Sequence, residues 1–296
     1  MRLSPGQALS RVPAPALFVG SGLAQYLGAA IAVTLFTQIA APGIAWLRIL
    51  AAAVVLLAWR RPWRLRWEVR DVVATAAFGL ALTGMNVAFY IAIDHLALGT
   101  AVAIEFAGPV AVAAVTGSGW RERAAIALAA PGVVLLAGVT LQGGDDVVVG
   151  LVAIGVAAVL WAGYIVLGRR VALRGDGVTR LAAAMAVGAV VLAPFLAGRA
   201  APVLDSWGLV AAVVGVAVLS SVIPYAVEQV VLGRVPPATF AVLLALLPAT
   251  AAAMGAVVLR QWPHPLDVVG LVLVSAAIAL ANRHRPEPVA EPDAGP

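Results

Sequence analysis

The sequence predicts an all-α integral membrane protein with ten transmembrane helices, arranged as two inverted five-helix repeats. Composition, the length of the apolar blocks and the distribution of arginine lead to this fold class. Hydrophobic residues make up 63% of the 296-residue chain and charged residues 11%, whereas a soluble domain carries about 25% charged residues. A soluble fold of this length could not hide so much apolar surface, so lipid is the solvent that fits.

Ten apolar blocks divide the chain, each close to the roughly 20 residues that a spanning helix needs. They cover residues 14–35, 42–59, 71–93, 99–118, 124–141, 148–167, 178–198, 207–230, 237–258 and 265–282, and we number them spans 1 to 10. Most connections are very short, so neighbouring spans must be antiparallel. The spans must be helices because lipid cannot satisfy open backbone groups.

Arginine supplies all 19 basic residues, and its placement predicts the orientation of the spans. With a cytoplasmic N-terminus, sixteen arginines fall on the cytoplasmic side and two, Arg199 and Arg260, on the outer side. Such an excess marks the cytoplasmic side of membrane proteins. We therefore predict a multi-pass protein of a bacterial inner (plasma) membrane with cytoplasmic N- and C-termini. The net charge of +5 follows from this topology, and no nucleic-acid partner is predicted.

A weak internal repeat divides the spans into two halves. Residues 96–122 align with residues 235–261, so that Pro109 falls on Pro248. Each half holds five spans, an odd number, so the halves must cross the membrane in opposite directions. Inverted repeats are typical of secondary transporters, whose substrate sites lie near the midplane between the halves. The predicted domains are residues 1–146, residues 147–284 and a disordered cytoplasmic tail, residues 285–296.

Four stretches of the sequence resemble a known family. They are LRILAAAVVLLAWRRPWR around Arg48, NVAFYIAIDHLALGTAVAIEFAGPVAVA from Asn86, LWAGYIVLGRRV from Leu160 and IPYAVEQVVLGRVPPATFAVL from Ile223. The chain resembles, over nearly its whole length, an EamA-type member of the drug/metabolite transporter superfamily, in the threonine/homoserine exporter-like branch. The resemblance implies export of amino acids or related metabolites by proton antiport with alternating access. In this branch a Glu usually precedes the Pro of span 9, and Leu247 stands there in this chain.

Two ionisable residues inside spans are functional candidates, because charges within lipid are costly. Arg48 is the seventh residue of span 2 and Glu105 the seventh of span 4, so both lie roughly 10 Å below the outer helix ends and could pair. One interpretation is a buried ion pair that only stabilises the fold. The other is that Glu105 exchanges protons or binds an ammonium group while Arg48 holds a carboxylate. The sequence leaves both open.

Polar and aromatic residues on other spans are candidates for lining a central cavity. Asn86 and Tyr90 share a face of span 3, and Tyr225 and Glu228 share a face of span 8. Such residues can line a substrate path, or simply bond neighbouring helices at roughly 1 kcal/mol each. Glu228 can also be an interfacial residue solvated by headgroups. Further candidates are Gln25, Trp161 and Tyr164 for the lining, and Pro109, Pro224 and Pro248 for helix breaks.

Other functions stay open at this point. His occurs three times, at span ends or in the tail, so no catalytic site, metal site or cofactor is predicted. An intramembrane enzyme or a scaffolding protein is the alternative to transport. Within transport, the alternative is exchange or uptake of a nucleotide-sugar or another metabolite, for which Arg48 would be the one buried cation. The predicted partners are a small-molecule substrate and membrane lipid, and a homodimer is left open.

Overall fold

The computed structural model describes residues 13–60, 62–65, 67–116, 120–140, 146–172, 177–224, 227 and 243–281. Within these ranges the chain is helical and contains no β-strand, which confirms the all-α class. The helices are α1 (Ala14–Thr34), α2 (Ala41–Arg60), α3 (Val69–His95), α4 (Leu98–Glu105), α5 (Ala107–Thr116), α6 (Trp120–Thr140), α7 (Asp146–Ala172), α8 (Gly177–Ala200), α9 (Trp207–Ala217), α10 (Leu247–Leu259) and α11 (Pro265–Ala281).

The described helices have the length and apolar composition of a membrane protein. Five segments are long and apolar enough to cross a bilayer: Pro15–Thr34, Ala41–Arg60, Val69–His95, Asp146–Gly168 and Thr179–Asp205. Shorter apolar helices cover Leu98–Val112, Arg123–Ala137, Trp207–Val222, Leu247–Leu259 and Pro265–Leu280. Each predicted span therefore overlaps one apolar helix, while the number of spans that cross stays a prediction. The predicted tail lies outside the described residues.

Two of the shorter apolar segments are interrupted just before a proline. Pro109 has no N–H to donate to the Glu105 carbonyl four residues earlier, and the helix is interrupted at Phe106, between α4 and α5. Pro248 lies in the first turn of α10 and follows a turn at residues 245–246. The two interruptions lie at aligned positions of the internal repeat.

A π-helical turn, Val218–Val222, continues α9. It ends beside Pro224, which cannot donate to the carbonyl of Ser220 and clashes with it in a regular α-helix, so a wider turn relieves the conflict. The turn packs closely on α1, because a Cβ at Gly28 would collide with the Ser220 side chain. The Ser220 hydroxyl donates to the main-chain carbonyl of Gln25 at 3.0 Å. The packing therefore depends on a glycine at residue 28.

The same helix contacts occur twice when each helix is replaced by the one five spans further along, counting on from span 10 to span 1. Helix α3 (span 3) packs against α7 (span 6), and correspondingly α9 (span 8) with its π-turn packs against α1 (span 1). Likewise α10 packs against α1, and α5 against α7. The pairs α2 with α8, α4 with α10 and α6 with α11 each join a helix to the one five spans later. Small residues allow this close packing: a Cβ at Gly79 in α3 would collide with the Ala184 carbonyl in α8.

A buried ion pair joins α3 to α8 near their N-termini. Arg180 Nη2 donates to Asp71 Oδ2 at 3.2 Å, and the two side chains are 8% and 9% exposed. The Arg180 guanidinium also lies 5.1 Å from the centre of the Trp67 ring. Sequence analysis counted Arg180 among the topology-determining arginines, and the structure shows that it also holds two helices together.

Candidate functional site

A central cavity of about 220 Å³ lies between α1, α2, α3, α4, α7, the π-turn and the segment that leads into α10. These elements belong to spans 1, 2, 3, 4, 6, 8 and 9, so both predicted halves of the chain contribute to its wall. The volume is below the roughly 300–1,000 Å³ typical of sites for drug-sized ligands. The cavity therefore has the size expected of a site for a small metabolite.

Most of the residues predicted for the site lie at this cavity. Seven of them line it: Gln25, Arg48, Asn86, Glu105, Trp161, Tyr164 and Pro224. Tyr90 lies behind the wall, where it contacts Arg48. Tyr225 and Glu228 are outside the described residues. Pro109 and Pro248 do not line the cavity and lie beside the helix interruptions instead.

Arg48 is a buried cation held from one side. The residue is 8% exposed. Arg48 Nη1 donates to the Tyr90 hydroxyl at 3.4 Å, and the guanidinium lies 5.0 Å from the centre of the Tyr90 ring. Tyr90 is itself fully buried against Phe36 and Phe89, with ring centres 6.0 and 6.1 Å away. Arg48 Nε is buried and has no hydrogen-bond partner among the described residues, and Arg48 lines the cavity.

Glu105 is the acidic counterpart on the same cavity. It is the last residue of α4, is 9% exposed, and forms no hydrogen bond or ion pair with another described residue. Arg48 acts on it electrostatically, but the two side chains do not form a direct ion pair. A buried charge is strongly destabilising unless it is paired. Arg48 is offset in part by its contact with Tyr90, and Glu105 needs either a proton or a bound cation.

The remaining predicted lining residues are partly engaged by the protein. Asn86 donates its side-chain amide to the Leu82 carbonyl at 2.8 Å, which leaves its side-chain oxygen as an acceptor. The Trp161 ring packs edge-on against Phe106, with centres 4.7 Å apart. The Tyr164 ring stacks on Phe78 at 4.9 Å. These aromatic side chains therefore shape the wall and also hold helices together.

Sequence reasoning did not include several lining residues among its site candidates. They are Phe18, Ser21, Gly22, Met85, Phe89, Ser220, Leu244 and Leu247. Phe18 and Ser21 share with Gln25 a face of α1 at three- and four-residue spacing, so helical periodicity could have found them. Leu244 lies in an apolar span where every position looks alike, and no pattern distinguishes it, whereas Leu247 was noted only as the residue in place of the Glu usual in the family branch.

A second cavity of about 200 Å³ lies between α4, α10 and the start of α11. It contains none of the predicted site residues. Arg260 adopts a left-handed conformation with φ of 58° and turns the chain after α10. Gln261 Oε1 then accepts a hydrogen bond from the Leu98 N–H at 3.0 Å, so that a side chain from beyond α10 caps the first turn of α4.

Comparison with known proteins agrees with this architecture. A model of the EamA-like transporter family matches residues 148–283. The threonine/homoserine exporter RhtA of Salmonella typhimurium (strain LT2) is 34% identical over 251 residues, which cover 84% of each chain. The chain belongs to the EamA-like transporter family. The threonine/homoserine exporter RhtA of Escherichia coli (strain K12) is 33% identical over 254 residues, again 84% of each chain.

A more distant relative is an uncharacterized transporter of Archaeoglobus fulgidus, 28% identical over 264 residues that cover 82% of this chain and 88% of the relative. These relatives are all named as transporters, which is consistent with the expectation that the chain is not an enzyme. Family membership and the apolar helices together identify a multi-pass membrane protein. The resemblance inferred from the four sequence stretches is confirmed.

Proposed function

We propose that this chain is a secondary active transporter that exports small neutral amino acids across the inner membrane by proton antiport. The observation that carries the proposal is the pair of buried, opposite charges at Arg48 and Glu105, which face one cavity without bonding to each other. A free amino acid carries one carboxylate and one ammonium group. Bound between them, it would give the guanidinium a carboxylate to bind and the Glu105 carboxylate a cation.

Threonine and homoserine are the first candidate substrates, because they are named for the RhtA relatives. The cavity fits an amino acid better than the alternative substrate class. A nucleotide-sugar or other phosphorylated metabolite brings at least two negative charges in its phosphate groups, and Arg48 is the one basic side chain among the described lining residues.

Proton coupling follows from the single carboxylate. A buried carboxylate needs either a proton or a cation beside it, and the substrate ammonium and a proton would compete for Glu105. Mutually exclusive binding of the two at one site is the simplest arrangement for antiport, since the site returns across the membrane carrying one or the other. Arg48 would bind the substrate carboxylate when substrate is present, would rest on Tyr90 when it is not, and would not itself carry the proton.

We also propose that ten helices cross the membrane as two inverted halves with cytoplasmic termini. The paired packing five spans apart supports this arrangement, as do the interruptions before Pro109 and Pro248. The family match, residues 148–283, falls on the proposed second half.

Alternating access would then open the cavity to one side at a time. At the proposed outer side, α4 and α10 are in tight contact, since a Cβ at Gly99 would lie 2.7 Å from Ala252 Cα. The cavity wall extends instead to Phe18, in the first turns of α1, at the proposed cytoplasmic side. This combination supports a state that receives substrate from the cytoplasm, as export requires.

The proposal is tested by flux in proteoliposomes with an imposed pH gradient, using threonine, homoserine and hydrophobic amino acids. We expect gradient-driven flux of at least one amino acid. Glu105→Gln should abolish the response to the gradient, while substrate–substrate exchange, which needs no net proton movement, persists with a raised KM. Glu68→Gln is the matched control, because Glu68 is an exposed acid just before α3.

Two results would overturn the proposal in different ways. Absence of flux for every amino acid would refute amino-acid export, and it would return attention to a scaffolding role, an enzyme or another substrate. Unchanged pH dependence in folded Glu105→Gln would show that Glu105 is not the coupling residue. In that case proton-coupled amino-acid export would stand, and only the assignment of the coupling to Glu105 would fall.

A further inference from the structure

The central cavity is longer than the backbone of an amino acid. Tyr26 of α1 lines it together with Arg48 and Glu105. Phe18 lines it eight residues earlier on the same helix, which corresponds to roughly 12 Å along the helix axis. A substrate whose charged groups lie at Arg48 and Glu105 would therefore leave one to two helical turns of cavity for its side chain.

The far end of the cavity is apolar. Phe18 packs in one hydrophobic cluster with Leu243, and Leu244 and Leu247 pack against that cluster. Leu247 approaches α1 so closely that a Cβ on Gly22 would lie 3.0 Å from Leu247 Cδ2. The absence of a side chain on Gly22 thus leaves room for Leu247 to form part of the cavity wall.

Among the residues that the structure describes, few polar groups are free at this end. The nearby Thr250 hydroxyl donates to the main-chain carbonyl of Leu247 at 2.8 Å, and the Ser220 hydroxyl is bonded to the Gln25 carbonyl. Of the other polar side chains that α1 contributes to the wall, Ser21 lies at this end, and Gln25 and Tyr26 lie at least one turn further along the helix. A substrate hydroxyl placed against Leu247 would lose its bonds to water without regaining them, whereas an aliphatic group would gain from leaving water.

We propose that Phe18, Leu244 and Leu247 form the side-chain subsite of this transporter, and that Leu247 makes it select neutral amino acids with aliphatic side chains over hydroxyl amino acids. The proposal rests on the proposed amino-acid export, and it assigns the substrate class within it. Arg48 and Glu105 bind the carboxylate and ammonium groups that all amino acids share. The side-chain subsite distinguishes among their side chains.

The test is counterflow exchange in proteoliposomes containing the full-length chain, with labelled leucine and unlabelled competitors. We expect leucine and methionine to have a KM about tenfold lower than threonine and homoserine, because a side chain that fills an apolar pocket is favoured by roughly that factor or more. Leu247→Ala should raise the KM for leucine about tenfold and leave the KM for alanine within about twofold.

Leu246→Ala is the matched control, since Leu246 is adjacent in sequence, 41% exposed and absent from the cavity wall. It should leave the KM for leucine within about twofold. The wild-type competition series decides the matter even if Leu247→Ala fails to fold. This inference would be overturned if threonine exchanged as well as or better than leucine and if Ser21→Ala abolished that exchange of threonine relative to leucine. Amino-acid export would stand in that outcome. Absence of exchange for every amino acid would instead refute the proposed function.

Discussion

The buried pair of Asp71 and Arg180 offers a direct measure of how strongly α3 and α8 are held together. The N–O distance is 3.2 Å and the side chains are 9% and 8% exposed, so solvent screens the interaction little. Removing one partner of a buried pair costs about 3–5 kcal/mol. Asp71→Asn keeps a hydrogen-bond acceptor, and Arg180 keeps its contact with the Trp67 ring. We therefore expect Asp71→Asn to lower the free energy of unfolding by about 2–3 kcal/mol.

A double-mutant cycle isolates the interaction itself. We expect Arg180→Gln to cost about as much as Asp71→Asn, and the double variant to cost little more than either, which gives a coupling energy of about 2 kcal/mol. The assay is reversible unfolding by SDS in mixed micelles, followed by circular dichroism. Arg70→Gln, at the exposed neighbouring position, should change the stability by less than about 0.5 kcal/mol. Single effects that simply add, with coupling below about 0.5 kcal/mol, would refute the reasoning.

Two further predictions concern the cavity and the helix packing. Tyr90→Phe removes the acceptor of the long 3.4 Å hydrogen bond from Arg48 but keeps the ring beneath the guanidinium. We therefore expect the KM for exchange to rise only about two- to fourfold. A rise in KM as large as that caused by Tyr90→Ala would contradict this. Gly79→Val would force a side chain onto the Ala184 carbonyl. It should lower the free energy of unfolding by at least about 2 kcal/mol, measured in the same SDS titration. Unchanged stability would show that α3 and α8 can separate freely.

Much of the fold could be predicted from the sequence because lipid imposes a simple rule. A helix that crosses a bilayer needs a long apolar block, and each predicted block overlaps a described apolar helix, although the end of span 8 and the start of span 9 lie outside the described residues. The rule does not predict local irregularities. The interruption at Phe106 and the π-turn before Pro224 depend on which carbonyls lose their donors to proline, and an apolar block shows only that a proline is present.

The site was predictable to the extent that it is polar. Arg48 and Glu105 could be recognised because a charge inside a span needs an explanation, and both lie on the cavity. Leu244 could not be recognised, since an apolar residue facing a cavity and one facing lipid look the same in a sequence. The Asp71–Arg180 pair was hidden for another reason, because charges near span ends already have a sufficient explanation in topology.

Among the described residues, two pairs of opposite charge are buried, and they differ in a way that bears on the proposed function. Asp71 and Arg180 are in direct contact, while Arg48 and Glu105, equally buried, face one cavity without contact. Direct contact lets Asp71 and Arg180 stabilise each other. Arg48 is instead offset in part by Tyr90, and a buried carboxylate such as Glu105 needs either a proton or a cation beside it. In the proposed antiport, the substrate ammonium group and a proton would alternate at Glu105, and the substrate carboxylate would reach Arg48 only when substrate is bound.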